Sequence, residues 1–223
     1  MAERGWIVPE AGLIATLPAM QRLALAYAPR SSRSALLGFL ALDKRLSDIV
    51  RSSREPMLAQ MRLAWWREHL SQSPAQQPRG EPLFAALAEW RGPIAALTGL
   101  VDGWEEIIGA PPLPLAAFEC LADARAAGFA SFATGSARAA ALRMGRNWGL
   151  ADIAAHLSDP REREAVLATV RAQDWHWQRL PRQLRPLAVL HGLAARTDWR
   201  NNEAVTQTPG ALLAAVRIGI TGR

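Results

Sequence analysis

The chain has almost no sulfur chemistry and almost no lysine. Cys120 is its only cysteine, so no internal disulfide can form, which fits a reducing compartment. Lys44 is its only lysine; arginine supplies the rest of 26 basic side chains, set against 20 acidic ones for a net charge of +6. Such a surface suits anionic partners, among them lipid headgroups and diphosphates. No apolar run reaches the roughly 20 residues that a bilayer-crossing helix needs. The N-terminus has neither the basic start nor the unbroken apolar stretch of a signal peptide, being interrupted by Pro9 and Glu10. The expectation is a cytoplasmic protein, peripheral at most on the inner membrane. Period-two alternation rich in Val, Ile and Thr is nearly missing, which excludes a substantial sheet. So are G-x-S-x-G, a Walker loop and G-x-G-x-x-G, which removes the commonest hydrolase and nucleotide signatures. The histidines, His69, His156, His176 and His191, have no zinc-like spacing. The arginines are dispersed, without a helix-turn-helix or aromatic-basic strand, so nucleic acid is not an expected partner.

What the chain does have is helix-forming sequence and helix punctuation. Half of its residues are hydrophobic and 21% are charged, enough apolar material for a core and too little charge for a disordered chain. Proline recurs where a first helical residue belongs, since its missing N–H costs nothing there: Glu55-Pro56, Glu81-Pro82, Gly92-Pro93, Asp159-Pro160 and Thr208-Pro209. Leu, Ala and Arg fill the intervals. Helices are expected over 18–28, 33–52, 56–72, 82–90, 93–108, 114–144, 146–157, 160–179, 186–197 and 209–219. Residues 71–82 form a polar, proline-rich loop, 109–114 a stiff break, and 197–209 a last polar loop. With no internal repeat and no low-complexity tract, 1–223 is expected to be one all-α domain.

Several residues on these helices carry chemistry. A magnesium-diphosphate site on a helix needs carboxylates three or four residues apart, on one face. Asp43 and Asp48 are five apart and diverge, while the same-face neighbours of Asp48 are Lys44, Arg45, Arg51 and Ser52. That environment favours a carboxylate paired with arginine over one recruiting a cation. On the next helix Leu58, Met61 and Trp65 share a face, with Arg62 and Trp66 beside it. They make either core packing or an aromatic wall with an arginine at its mouth, able to hold an apolar chain with a charged head. Residues 114–144 are rich in small side chains, which serve close packing or line a cavity. Asp152, His156 and Asp159 stand at i, i+4 and i+7 and share a face if the helix runs through. They then offer a divalent-ion site, unless Asp159 caps the helix that Pro160 begins. In "DWHW", Asp174 to Trp177, the tryptophans fall on different faces around a histidine with no partner in the sequence.

These residues, taken in order, resemble the squalene/phytoene synthases. The match is carried by Tyr27-Ala28, Arg33, the apolar run Ala35 to Leu42, and Ser47-Asp48-Ile49-Val50-Arg51 where that family has Asp-Asp-x-x-Asp. "MRLAWWREHL", "GEPLFAALAEW", "LVDGWEEII" and the small-residue helix follow in the family's order, so the resemblance spans residues 18–217. It implies an isoprenoid-synthase-like helical bundle around a central cavity, shortened at the C-terminus. It also makes Tyr27, Arg33, Asp48, Arg62, Trp65, Asp152 and His156 ligand-binding candidates. The departures are specific. Ser47 and Arg51 replace two acids of the first motif, and at the second only Asp159 and Glu162 stand for acids, with Arg163 in place of another. The sequence is therefore similar to a catalytically degenerate branch that includes the mitochondrial assembly factor for respiratory complex I. The resemblance implies a non-catalytic protein, with no cofactor, that binds a prenyl lipid, a prenyl diphosphate or a protein partner near an anionic membrane, in respiratory-complex assembly. The alternatives are an active magnesium-dependent prenyltransferase condensing two prenyl diphosphates, and a helical interaction module whose cavity has collapsed.

Overall fold

The computed structural model describes residues 10–53, 55–78, 80–197 and 209–221. Among these residues every regular element is helical: α1 Glu10–Thr16, α2 Ala19–Leu25, α3 Arg30–Ser52, α4 Pro56–Ser71, α5 Pro82–Leu87, α6 Ile94–Glu105, α7 Leu115–Ala130, α8 Gly135–His156, α9 Pro160–Ala172, α10 Arg185–Ala194 and α11 Pro209–Thr221. A 3-10 turn, Arg182–Leu184, precedes α10. Pro56, Pro82 and Pro160 occupy the first turns of α4, α5 and α9, as the punctuation requires. Pro93 instead stands one residue ahead of α6, at its N-cap.

Several bounds differ from the sequence reading by a few residues, and three departures are larger. The helix expected over 114–144 is two helices, because the break lies at 131–134 and not at Gly145. Gly135 opens α8 at φ 56°, a left-handed conformation that only glycine adopts without strain. Gly145 lies inside α8, where an added Cβ would stand 2.8 Å from the Ala126 Cα. Gly149 meets Ala122 in the same way, at 3.1 Å. Small residues thus let α7 and α8 touch backbone to backbone. The helix expected over 160–179 stops at Ala172, and residues 173–181 run as an extended strap. Arg143 Nη1 donates to the carbonyls of Asp174 and His176 at 3.0 and 2.9 Å, which holds the strap on α8. A short α1 also forms, where the sequence reading placed no helix. The last polar loop, apart from Thr197 and Pro209, lies outside the described residues.

The core is one continuous cluster centred on α3. From Ala35 to Asp43 that helix is buried on all sides, because α1, α2, α4, α5 and α6 surround it. Phe39 packs edge-on against Phe129 at 5.2 Å and stacks on Trp90 at 6.0 Å. Gly128 leaves room for it: a Cβ there would come within 2.1 Å of the Phe39 ring. Arg67 on α4 binds both Asp102 and Glu105 on α6, fixing the outer pair of helices.

Candidate functional site

A cavity of about 390 Å³ opens between α3 on one side and α6, α7 and α8 on the other. From α3 it takes Asp43, Lys44, Ser47, Asp48, Val50 and Arg51. The facing wall presents Trp104, Ile107, Phe118, Leu121, Arg125, Asp152, Ile153 and His156, and Pro18 and Gln21 also line the cavity. Apolar side chains make most of that wall, and the ionisable groups lie together near α3.

The charged centre is Arg125, which is 4% exposed. Its Nε donates to Asp43 Oδ1 at 3.1 Å and its Nη1 donates to Asp152 Oδ2 at 2.9 Å. A second contact, Nη2 to Asp43 Oδ2 at 3.1 Å, makes the Asp43 pairing bidentate. Trp104 Nε1 donates to Asp43 Oδ1 at 2.8 Å. The guanidinium carbon sits 5.3 Å from the Trp104 ring and 5.5 Å from the Trp148 ring, within cation–π range of both. Burial pulls the Arg125 pKa down, but the charges of Asp43 and Asp152 and their hydrogen bonds outweigh it and hold it above its ordinary value. One guanidinium therefore joins α3, α7 and α8 at the floor of the cavity. Asp43 is 2% exposed and points inward, and Asp48 points outward into an i,i+4 pair with Lys44.

The sequence candidates distribute as follows. Ser47, Asp48, Arg51, Asp152 and His156 all line the cavity. His156 Nδ1 donates to the Asp152 carbonyl at 2.7 Å, which turns that nitrogen back along its own helix. Asp159 and Glu162 do not line the cavity. Asp159 is the N-cap of α9, accepting from the backbone N–H of Arg161 and Glu162 at 2.8 and 3.0 Å. Glu162 is buried and accepts from the Leu113 N–H at 2.6 Å, pinning the loop before α7. Tyr27 packs its ring over Gly219 of α11, outside the cavity. Arg33 donates to the Leu25 carbonyl at 2.8 Å and pairs with Glu10, which ties α1 and α2 to α3. Arg62 and Trp65 belong to a separate recess of about 300 Å³ on the other side of α3, with Arg45, Ile49, Trp66 and Glu81.

Magnesium can be tested directly against these donors. A diphosphate-bound magnesium needs carboxylate oxygens free to turn toward it. Here Asp43 and Asp152 are spent on Arg125, and Asp48 on Lys44. No group of three or more His, Cys, Asp or Glu residues able to hold a metal occurs among the described residues. The donor set does not fit the ion. Arg125 had escaped the sequence reading, and Asp43 entered it only as the carboxylate that diverges from Asp48. The signal for Arg125 is on a helical wheel: it shares a face with Phe118, Leu121 and Ala122, all buried, so its charge has to be met inside.

Residues 22–114 match the model of the squalene/phytoene synthase family. The match runs from within α2 to the N-cap of α7, so it holds the Asp43 and Asp48 face of the cavity and stops short of Arg125 and Asp152. An all-helical bundle is consistent with the isoprenoid-synthase-like fold of that family. No curated protein and no solved structure matches the chain.

Proposed function

We propose that this protein is a non-catalytic relative of the squalene/phytoene synthases that keeps the family's cavity as a binding site for a prenyl lipid. The observation that carries the reading is Arg125, a cation built into the chain between the carboxylates of α3 and α8. An active enzyme of this type ionises an allylic diphosphate and needs divalent ions to meet the charge that develops on the leaving group. Here the inward carboxylates already have a counter-ion, and the outward one, Asp48, is paired with Lys44. The apolar wall of Ile107, Phe118, Leu121 and Ile153 remains suited to a hydrocarbon chain. In this reading it acts at the surface of the inner membrane, in respiratory-complex assembly with a protein partner; the net charge of +6 supports an anionic surface as its setting.

The test has two arms on one preparation. Purified protein is extracted and its lipids are identified by mass spectrometry. The same protein is incubated with farnesyl or geranylgeranyl diphosphate, with and without magnesium, while pyrophosphate release and hydrocarbon products are followed. A co-purifying isoprenoid without turnover is the expected outcome. Magnesium-dependent pyrophosphate release that disappears in Asp48→Ala or Asp152→Ala overturns the reading and makes the protein a transferase.

A further inference from the structure

We propose that the cavity takes an amphiphile whose head is a single compact anion, a carboxylate or a phosphate monoester, held by Arg51 and Ser47 without a metal. This deepens the prenyl-lipid reading of the same cavity and depends on it.

The charge pattern of the wall leads there. It holds three carboxylates and three cations: Asp43, Asp48 and Asp152 against Lys44, Arg51 and Arg125. Two of those cations are already committed, Lys44 to Asp48 and Arg125 to Asp43 and Asp152. Arg51 is exposed on the last turn of α3, lines the cavity, and has no ion-pair partner among the described residues. Ser47 lies four residues earlier on the same face, also lines the cavity, and its hydroxyl has no hydrogen-bond partner among the described residues. A fork of guanidinium N–H donors with a hydroxyl one turn away matches the oxygens of a carboxylate or phosphate. The apolar wall then receives the chain.

The same arithmetic disfavours the other heads. A diphosphate brings several negative charges to one free cation and sets the excess beside the Asp48 and Asp152 carboxylates. A magnesium ion carried in by the diphosphate meets only carboxylates that are already ion-paired and so has poor anchorage on this wall. A neutral alcohol leaves Arg51 unused and gains only the apolar contacts.

Isothermal titration calorimetry at low salt, on the full chain, separates these cases with four probes: farnesoic acid, farnesyl monophosphate, farnesol, and farnesyl diphosphate with either magnesium or a chelator. At least one singly headed anion is expected to bind about tenfold more tightly than farnesol, the size of one good charged hydrogen-bonding contact. Whichever of the carboxylate and the monophosphate binds tighter identifies the source of the head. Arg51→Gln should bring that anion to the farnesol level while leaving farnesol affinity and the melting temperature unchanged. Ser47→Ala should give a smaller loss in the same direction. Equal binding of farnesol and both anions, or an Arg51→Gln protein that still prefers the anion, refutes the head-group assignment and leaves the prenyl-lipid cavity standing. No binding of any probe refutes both. Tightest binding of the diphosphate, lost on chelation, also refutes both.

Discussion

Replacing Arg125 with leucine is the most searching perturbation of this fold. The substitution keeps an apolar stem of moderate length and deletes the guanidinium. Asp43, 2% exposed, is then left with one neutral donor, the Trp104 indole, and Asp152 loses its counter-ion. Removing one partner of a buried ion pair costs about 3–5 kcal/mol, because the remaining charge stays buried and uncompensated. In a chain of this size one kcal/mol moves the melting temperature by roughly 2–4 °C, so the expected fall is about 6–20 °C. Arg125→Leu combined with Asp43→Asn removes both charges and keeps an acceptor for Trp104. It should recover at least half of the loss, since a pair of buried charges is often close to neutral against its uncharged replacement. Urea unfolding followed by tryptophan fluorescence and by far-UV circular dichroism measures both variants. If the single variant does not fold, the double variant and Asp152→Asn, at a more exposed carboxylate, still test the reasoning. A single variant within about 1 kcal/mol of the parent, or a double variant no more stable than the single, refutes the claim that Arg125 is an internal counter-ion.

Three further outcomes follow. His191 is fully buried between Trp175 and Trp177, and neither ring nitrogen has a hydrogen-bond partner among the described residues. Burial, together with the charge of Arg143 and against that of Asp174, lowers its pKa to about 4, so folding excludes a proton that the unfolded chain takes up below its ordinary value near 6.5. Its stabilising effect is complete above pH 6.5 and fades as pH falls toward 4, by about 3 kcal/mol in all; His191→Phe should flatten that part of the pH–stability curve. Asp159→Ala should cost about 0.5–2 kcal/mol by denaturant midpoint, as an N-cap does, with ligand affinity unchanged; a loss of affinity would return Asp159 to the site. On α4, Met57, Leu58, Met61 and Trp65 are exposed along one side next to Arg62, so flotation with anionic liposomes should show binding that weakens with salt and drops in Leu58→Glu/Met61→Glu.

The helices were legible where a local rule decides them. Proline fits the first turn of a helix and few other places in one, so the starts of α4, α5 and α9 could be read directly from the residue pairs at 55–56, 81–82 and 159–160. The break between α7 and α8 was misread because two glycines compete for it, and sequence does not say which one needs a positive φ. Gly135 does; Gly145 serves a close helix contact. At the site, the divergence of Asp43 from Asp48 followed from spacing, but which of them faces the core depends on helices far along the chain. Trp104 and Arg125, the partners of Asp43, lie 61 and 82 residues away, beyond any periodicity argument. The arginine pairing expected of Asp48 is made by the lysine at 44 instead.

Arg125 has a consequence for how the cavity meets its surroundings. A site whose charges are balanced by a dissolved ion changes with the supply of that ion: it can be starved, stripped by a chelator or loaded with the wrong metal. Here the balancing cation is part of the polypeptide, clamped between two carboxylates and two indole rings. It cannot be diluted, exchanged or competed away while the chain stays folded. The counter-charge of the cavity floor is inherited with the sequence.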